Sequence, residues 1–501
     1  MRHIEIILLL ANLLTFIALV IPLPSAVSWM RYSAPVTLLI AFAQLLVEGP
    51  RWQMVPAYVL AALFFVIWLL YTAKAAGKPA NNKRKNRIVV GLAIRLVVLG
   101  LSVSIVLPAV LPVFRLPSPS GPYEIGTVTY HWTDVSRHEV FSTDKNARRE
   151  LMVQIWYPAK KGSSSPRASY IQDADVITLA LARLHNFPDV ALKHLKYVTT
   201  NTAESAPVAD NEPSYPVLIF LEGLTGYRQM NNFQVEELVS HGYIVVGIDQ
   251  PGAAASVVFP DRHQITGLSK TQMDPLSQQS ASPAEKAPML NGQAFKDGII
   301  PYFAQDVSFT LDQLASVNNI DPNNILTRKL DLQRTGVFGV SFGGIVGAEA
   351  CLKDPRLRAC LVMDVFMTAD VAEKGLQQPS MWITRDADTM RLEREKAGGW
   401  TEKDIKQTQT TMRMVYNSLP GDGYFVQVPG MFHIDLTDLT YVSPVFPKIG
   451  FSGPIGVQRA HDIINSYSVA FFDKHLKGTM ATLLNGPTKQ YPEVIFETRR
   501  P

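Results

Sequence analysis

Apolar positions follow two unlike patterns along the 501 residues. In the first 117 they form long runs. Residues 4–21 carry only Glu5 as a charge, residues 54–71 carry none, and residues 88–113 carry only Arg95. About 20 apolar residues cross a bilayer core, so these runs predict three transmembrane helices. Residues 34–47 are fewer and include Gln44, which leaves spanning and re-entry both open and the total at three or four. A cleaved signal peptide would account for the first run at most.

Beyond residue 123 the apolar runs shorten and alternate with helical stretches. Residues 151–157 read as a strand. Residues 216–221 and 243–248 are continuously apolar, as in strands buried on both faces, and 233–239 between them suits a helix. Residues 294–316 place Phe295, Ile299, Phe303, Val307 and Leu311 four apart, predicting a long helix. Further strands are expected at 335–338, 359–363, 381–384 and 424–428. A closing helix at 455–476 aligns Val457, His461, Ile464 and Tyr467. This alternation predicts an α/β fold, a doubly wound and mostly parallel sheet.

The domain expectation is a membrane anchor over 1–117, a stiff Pro/Ser/Gly linker over 118–122 and a catalytic domain over 123–501. Two polar insertions, about 160–214 and 252–293, break the rhythm; the first has helical potential at 176–184. The second follows a strand's carboxyl end, where an open α/β sheet carries its site, so it is either a lid or binding loop or a loop with no role.

Charge sharpens this division. The net charge of +4 arises from 11 Lys/Arg against two Asp/Glu in residues 1–117, and 36 against 41 in the rest. The positive balance thus sits among apolar runs, which argues against a nucleic-acid partner. Lys74, Lys78, Lys83, Arg84, Lys85 and Arg87 share one acid-free loop, which the positive-inside rule places in the cytoplasm. The chain is then an integral membrane protein with its α/β domain on the non-cytoplasmic side. Arg95 and Gln44 read as snorkelling or packing residues rather than a transport path, for no repeat or ionisable cluster accompanies them. Two cysteines make neither a disulfide scaffold nor a four-ligand zinc site. Cys351 and Cys360 are expected as buried free thiols, with a bridge across their turn as the alternative. No metal cluster, phosphate loop or dinucleotide fingerprint is present in the sequence, so no cofactor is expected.

Gly339-Val340-Ser341-Phe342-Gly343-Gly344 fits G-x-S-x-G, with an apolar strand leading in and a helix-compatible run leading out. That setting is required because the serine occupies a strained turn that lifts its hydroxyl above the sheet. A serine nucleophile needs a base, which follows it in the chain order Ser, acid, His. Only His433, His461 and His475 follow Ser341. His461 falls mid-helix and His475 at that helix's end, where solvation is expected, whereas His433 lies in a turn after the last strand. His433 is therefore the base candidate. Asp364, Asp386 and Asp388 all follow strand ends, and position leaves all three open as the acid.

An ordered set of stretches runs from Tyr215 to Asp438: Tyr215-Pro216-Val217-Leu218-Ile219-Phe220 with Gly223-Leu224-Thr225-Gly226-Tyr227-Arg228, then Leu238-Val239-Ser240-His241-Gly242-Tyr243-Ile244-Val245. Ser341-Phe342-Gly343-Gly344, Met363-Asp364, and His433 with Asp438 complete it. In this set the chain resembles the plasma-type platelet-activating factor acetylhydrolase family of the α/β-hydrolases. The resemblance is carried by these residues in this order. It implies Asp364 as the acid, and the backbone N–H groups of Leu224 and Phe342 as the oxyanion hole. It further implies a serine carboxylic-ester hydrolase acting through an acyl-enzyme on lipophilic or short-acyl lipid or small-molecule esters. One departure is Glu222-Gly223, where the family usually has His-Gly. A carboxylate beside a developing oxyanion is unfavourable unless paired or turned away, and Arg228 is its candidate partner. Glu222 and the extra spans motivate the alternative, a non-catalytic hydrolase-like membrane protein that binds a lipid or a partner.

Overall fold

The computed structural model describes residues 1–21, 24, 29–30, 32–75 and 86–500. Two compact units emerge, residues 1–114 with 442–444, and residues 115–441 with 445–501.

The first unit contains helices α1 (His3–Val20), α2 (Ser33–Val47), α3 (Val55–Ala75) and α4 (Asn86–Val110). Three stretches, His3–Val20, Trp52–Ala73 and Val89–Val110, are long and apolar enough to cross a membrane; α2, with 15 residues, is shorter. Polar groups turn inward while large apolar ones turn outward, the reverse of a water-soluble bundle. Glu5 is buried against Arg51 at 2.6 Å, and Asn12 donates to the Ala57 carbonyl at 3.0 Å. Gln44 accepts from Tyr58 Oη at 2.5 Å, so it is a packing residue, whereas Leu39, Leu46, Leu96 and Leu99 are exposed. Lys78, Lys83, Arg84 and Lys85, on which the expected orientation rests, lie outside the described residues.

The second unit is built on an eleven-stranded sheet. Its strands are β1 (Glu124–His138), β2 (Arg148–Ala159), β3 (Arg167–Ser169), β4 (Thr199–Glu204), β5 (Tyr215–Leu221) and β6 (Ile244–Asp249). The remainder are β7 (Leu330–Val340), β8 (Leu357–Met363), β9 (Ser380–Thr384), β10 (Gly423–Gln427) and β11 (Ile495–Arg499). Spatial order is β11-β10-β9-β8-β7-β5-β6-β2-β1-β4-β3. The run from β6 through β10 is parallel. Antiparallel β2 closes one flank and antiparallel β11 the other. All residues of β5 and β6 are buried, as their unbroken apolar character requires.

Helices cover the sheet: α5 (Ala174–Leu184), α6 (Asn232–Ser240), α7 (Lys270–Ala281), α8 (Ile300–Asn319), α9 (Phe342–Lys353) and α10 (Ala369–Lys374). Three more, α11 (Ala387–Ala397), α12 (Glu402–Ser418) and α13 (Val457–Phe472), complete the set used below. The expected helix at 294–316 starts later, at Ile300. Gln293–Ala294 pairs with Met289–Leu290 instead, and Pro301 at the first turn suits a helix start there. The closing helix ends at Phe472, followed by a wider turn over Asp473–Lys477. The first insertion supplies α5 and also β3 and β4, which extend the sheet edge.

Adjacent β5 and β7 continue to opposite sides, β5 to β6 and β7 to β8. The crevice at their carboxyl ends is therefore a topological switch point, where α/β sheets bind ligands.

Candidate active site

Register brings the functional loops together. Gly339 pairs with Leu221, Val340 with Met363, and Met363 with Ile383. Ser341, Asp364 and Arg385 thus leave neighbouring strands at the same edge. Ser341 holds φ 54°, ψ −123°, a left-handed-side conformation that costs a non-glycine residue about 1–3 kcal/mol. Its N–H donates to the Met363 carbonyl at 2.8 Å, and α9 starts at the next residue. Gly343 is required by crowding: a Cβ there would lie 2.1 Å from the Leu221 carbonyl oxygen.

Asp364 also has positive φ (54°) and is fully buried. Its Oδ2 accepts from His433 Nδ1 at 2.7 Å and from Arg385 Nε at 2.7 Å. Its Oδ1 accepts from the Thr384 hydroxyl at 2.8 Å and the Arg385 backbone N–H at 3.3 Å. Burial pushes this carboxyl up. The Arg385 guanidinium, the His433 contact and the Thr384 bond outweigh it, holding Asp364 well below the usual carboxylate range. An ionised Asp364 fixes the imidazole with Nδ1 protonated, which leaves Nε2 as the basic nitrogen.

Ser341, Phe342, Leu224, His433, His185 and Trp400 line a cavity of about 500 Å³. Among the described residues no hydrogen bond joins Ser341 to His433. Contacts between a nucleophile and its base often tighten only when substrate binds. Leu224 and Phe342 N–H have no backbone acceptor among the described residues, whereas neighbouring Thr225 and Gly226 N–H groups do. Gly223 brings the Leu224 loop close, since a Cβ there would lie 3.5 Å from Ser341 Cβ. A larger, more polar cavity of about 600 Å³, lined by Thr127, Gln154 and Gln229, contains none of the expected site residues.

The two other aspartates are engaged elsewhere. Asp386 caps α11, accepting from the Asp388 and Thr389 N–H groups, and Asp388 is exposed beside Arg391 at 2.8 Å. Asp438 accepts from the Asn232 and Phe233 N–H groups at the start of α6. His461 is buried, stacked on Phe233 and bonded to Tyr441 Oη at 2.8 Å; burial lowers it to about 3. The expectation that His475 is solvated is corrected: it packs on Phe471 and Tyr424, and burial lowers it to about 4. Cys351 and Cys360 are buried free thiols.

Arg228 does not pair with Glu222. Its backbone N–H donates to Asp249 at 2.6 Å, and its guanidinium bonds Asp249 and Gln172. Glu222 instead accepts from the Gln250 N–H at 3.2 Å. Burial, and then the charge of Asp249, push its carboxyl well above the usual range, which favours its protonated form. The departure from His-Gly therefore brings a carboxyl whose buried surroundings disfavour its charged form.

Several cavity and support residues carried no sequence signal of their own. Arg385 and Glu393 reach Asp364 and His433 only through strand register and the α11 turn. His185 arrives on the first insertion, 3.4 Å from the Thr225 hydroxyl. Trp400 follows Gly398 and Gly399, both at positive φ, and that glycine pair was the one available hint of a turn. Among the described residues no group of His, Cys, Asp and Glu is arranged to hold a metal.

Comparisons with known proteins agree with this architecture. A probable 1-alkyl-2-acetylglycerophosphocholine esterase of Arthroderma benhamiae is 25% identical over 76% of this chain and 94% of its own length. The platelet-activating factor acetylhydrolase of Gallus gallus is 22% identical over 72% and 84%. The structure of a ferulic acid esterase from Streptomyces cinnamoneus superposes with a TM-score of 0.59, covering 77% of this chain and 99% of that one at 24% identity, a likeness of fold. The family "Platelet-activating factor acetylhydrolase, isoform II" matches residues 109–482, and the chain belongs to it.

Proposed function

We propose that the protein is a serine carboxylic-ester hydrolase anchored by its N-terminal helices, with the catalytic domain on the non-cytoplasmic side. The observation that carries this is the 2.7 Å bond from His433 Nδ1 to buried, ionised Asp364, with Ser341 on a strained turn lining the same cavity. His433 Nε2 takes the Ser341 Oγ proton as Oγ attacks the ester carbonyl. The oxyanion forms against the Leu224 and Phe342 N–H groups. Protonated His433 returns the proton to the leaving alcohol, giving an acyl-enzyme. Water, deprotonated by His433, then releases the acid and restores Ser341.

The relatives' names point to lipid esters with short acyl groups, and the cavity's Leu224, Phe342, Ile345, Val365 and Phe366 suit an apolar ester. The anchored-binder alternative loses much of its motive, because burial disfavours a charged Glu222. The test is hydrolysis of an ester series of rising acyl length, with and without a phospholipid head group, by full-length protein in detergent. Turnover is expected to favour short acyl chains and to collapse in Ser341→Ala and His433→Ala. Undiminished turnover in either variant would overturn the proposal.

A further inference from the structure

Fixing an imidazole needs a carboxylate, and Thr384 with backbone N–H groups can hold that carboxylate. Here a cation does so as well. The Arg385 side chain is 1% exposed, and its Nε donates to the same Asp364 oxygen that accepts from His433. Its Nη1 reaches Glu393 on α11. Both oxygens of Glu393 accept from the His433 backbone N–H at 3.3 Å. The Trp400 ring covers the guanidinium at 4.9 Å and lies 5.5 Å from the His433 ring. One guanidinium and one second carboxylate thus touch His433's acid and His433's own backbone.

We propose that Arg385 and Glu393 are positioning residues, a compensated charge pair that holds Asp364 and His433 together and sets the pH at which His433 becomes a base. The proposal rests on the Ser341–His433–Asp364 reading. Arg385 cancels part of the Asp364 charge that would stabilise the imidazolium, and Glu393 restores part of it. Other charged or titratable groups facing the pair are Asp386 and Asp435 around Arg385, and at the cavity His185, Lys270 with Asp274, Lys403 and Asp404. Lys270 and Asp274 pair with each other at 2.5 Å, and His185, lowered by burial, stays neutral near pH 7.

The signs of the two substitutions are opposite. Arg385→Gln removes a cation, favours protonated His433, and is expected to move the acidic limb of kcat/KM up by about one pH unit. Glu393→Gln removes an anion and is expected to move it down by about the same amount. A loosened site would not produce opposed shifts. The experiment records p-nitrophenyl acetate hydrolysis against pH by full-length protein in detergent. NMR titration of His433 in 13C-histidine-labelled protein reads the same shifts without turnover. Opposed shifts support the pair; limbs that stay in place, or move in the same direction, overturn it. Should Arg385→Gln not fold, Glu393→Gln decides alone: a downward shift supports the pair, and none or an upward one overturns it. Opposed NMR shifts in the two variants of a protein that hydrolyses nothing would sink the esterase reading and leave the charge pair standing.

Discussion

Gly343→Ala tests how tightly the elbow is built. The added Cβ would lie 2.1 Å from the Leu221 carbonyl oxygen, 2.4 Å from its carbon and 2.6 Å from the Glu222 carbonyl oxygen. Ordinary C···O contacts are about 3.3 Å, so α9 and the end of β5 must separate by about 1 Å. Every opposing atom is backbone, and none can swing aside. That separation pulls the Phe342 N–H away from the Leu224 loop, across the space where an oxyanion would sit. A misplacement of about 1 Å costs on the order of 10² in rate, or about 2.7 kcal/mol of barrier. Overpacking adds about 1–3 kcal/mol of destabilisation. Gly347→Ala, one turn later in α9, meets side chains alone, Val337 at 3.3 Å and Leu221 at 3.7 Å. It is expected to leave turnover intact and to gain some of the ~1 kcal/mol by which Ala exceeds Gly in a helix. Ester hydrolysis and thermal melting of both variants provide the assay. Wild-type turnover in Gly343→Ala, or equal losses in the two, would refute the crowding argument.

Four further outcomes follow from individual side chains. Asp364→Asn should lower kcat on the order of 10³–10⁴, whereas exposed Asp388→Asn should leave it unchanged; the reverse would move the acid to Asp388. Because Asp364 is held low in the folded protein, its stabilising contribution is present at neutral pH and fades as pH falls below about 4. Melting curves of the wild type should show that loss, and those of Asp364→Asn a flatter one. Glu222, by contrast, is raised by burial, so the folded state binds its proton more tightly than the unfolded chain does. Wild-type stability should decline as pH rises above about 4.3, Glu222→Gln should gain on it over that range, and its turnover at pH 7 should stay intact. Buried, unbridged Cys351 and Cys360 should react with a thiol reagent only after denaturation, and a reductant should not change the melting temperature.

The parallel core was legible because β5 and β6 are buried on both faces and read as uninterrupted apolar runs, at 216–221 and 243–248. Of the flanks, only β2 was, at 151–157. β1 has one buried face and alternates Thr, Tyr, His, Trp, Thr and Asp, so it lacks that signature. β3, β4 and β11 are short, and their place depends on partners far along the chain. Highly charged α11 and α12 bury only a narrow stripe, such as Ile405, Thr408, Met412 and Val415. At the site, Ser341 and His433 were marked by a motif and by chain order. The choice of Asp364 came from the family resemblance, and the geometry now pairs it with His433. Arg385 had no motif, because its partners lie 21 residues back and eight ahead and meet only when β8 and β9 pair in register. The expected Arg228–Glu222 pair failed for a related reason: Asp249, at the end of β6, accepts from both the backbone N–H and the guanidinium of Arg228.

The central claim is that Ser341 forms an acyl-enzyme. Full-length protein incubated with a p-nitrophenyl phosphonate and digested for mass spectrometry tests it directly. One phosphonyl adduct on the peptide containing Ser341, formed with loss of esterase activity and absent from Ser341→Ala and after denaturation, is the predicted result. An unlabelled Ser341 in protein that still hydrolyses esters, or labelling at another residue that tracks the loss of activity, would contradict it.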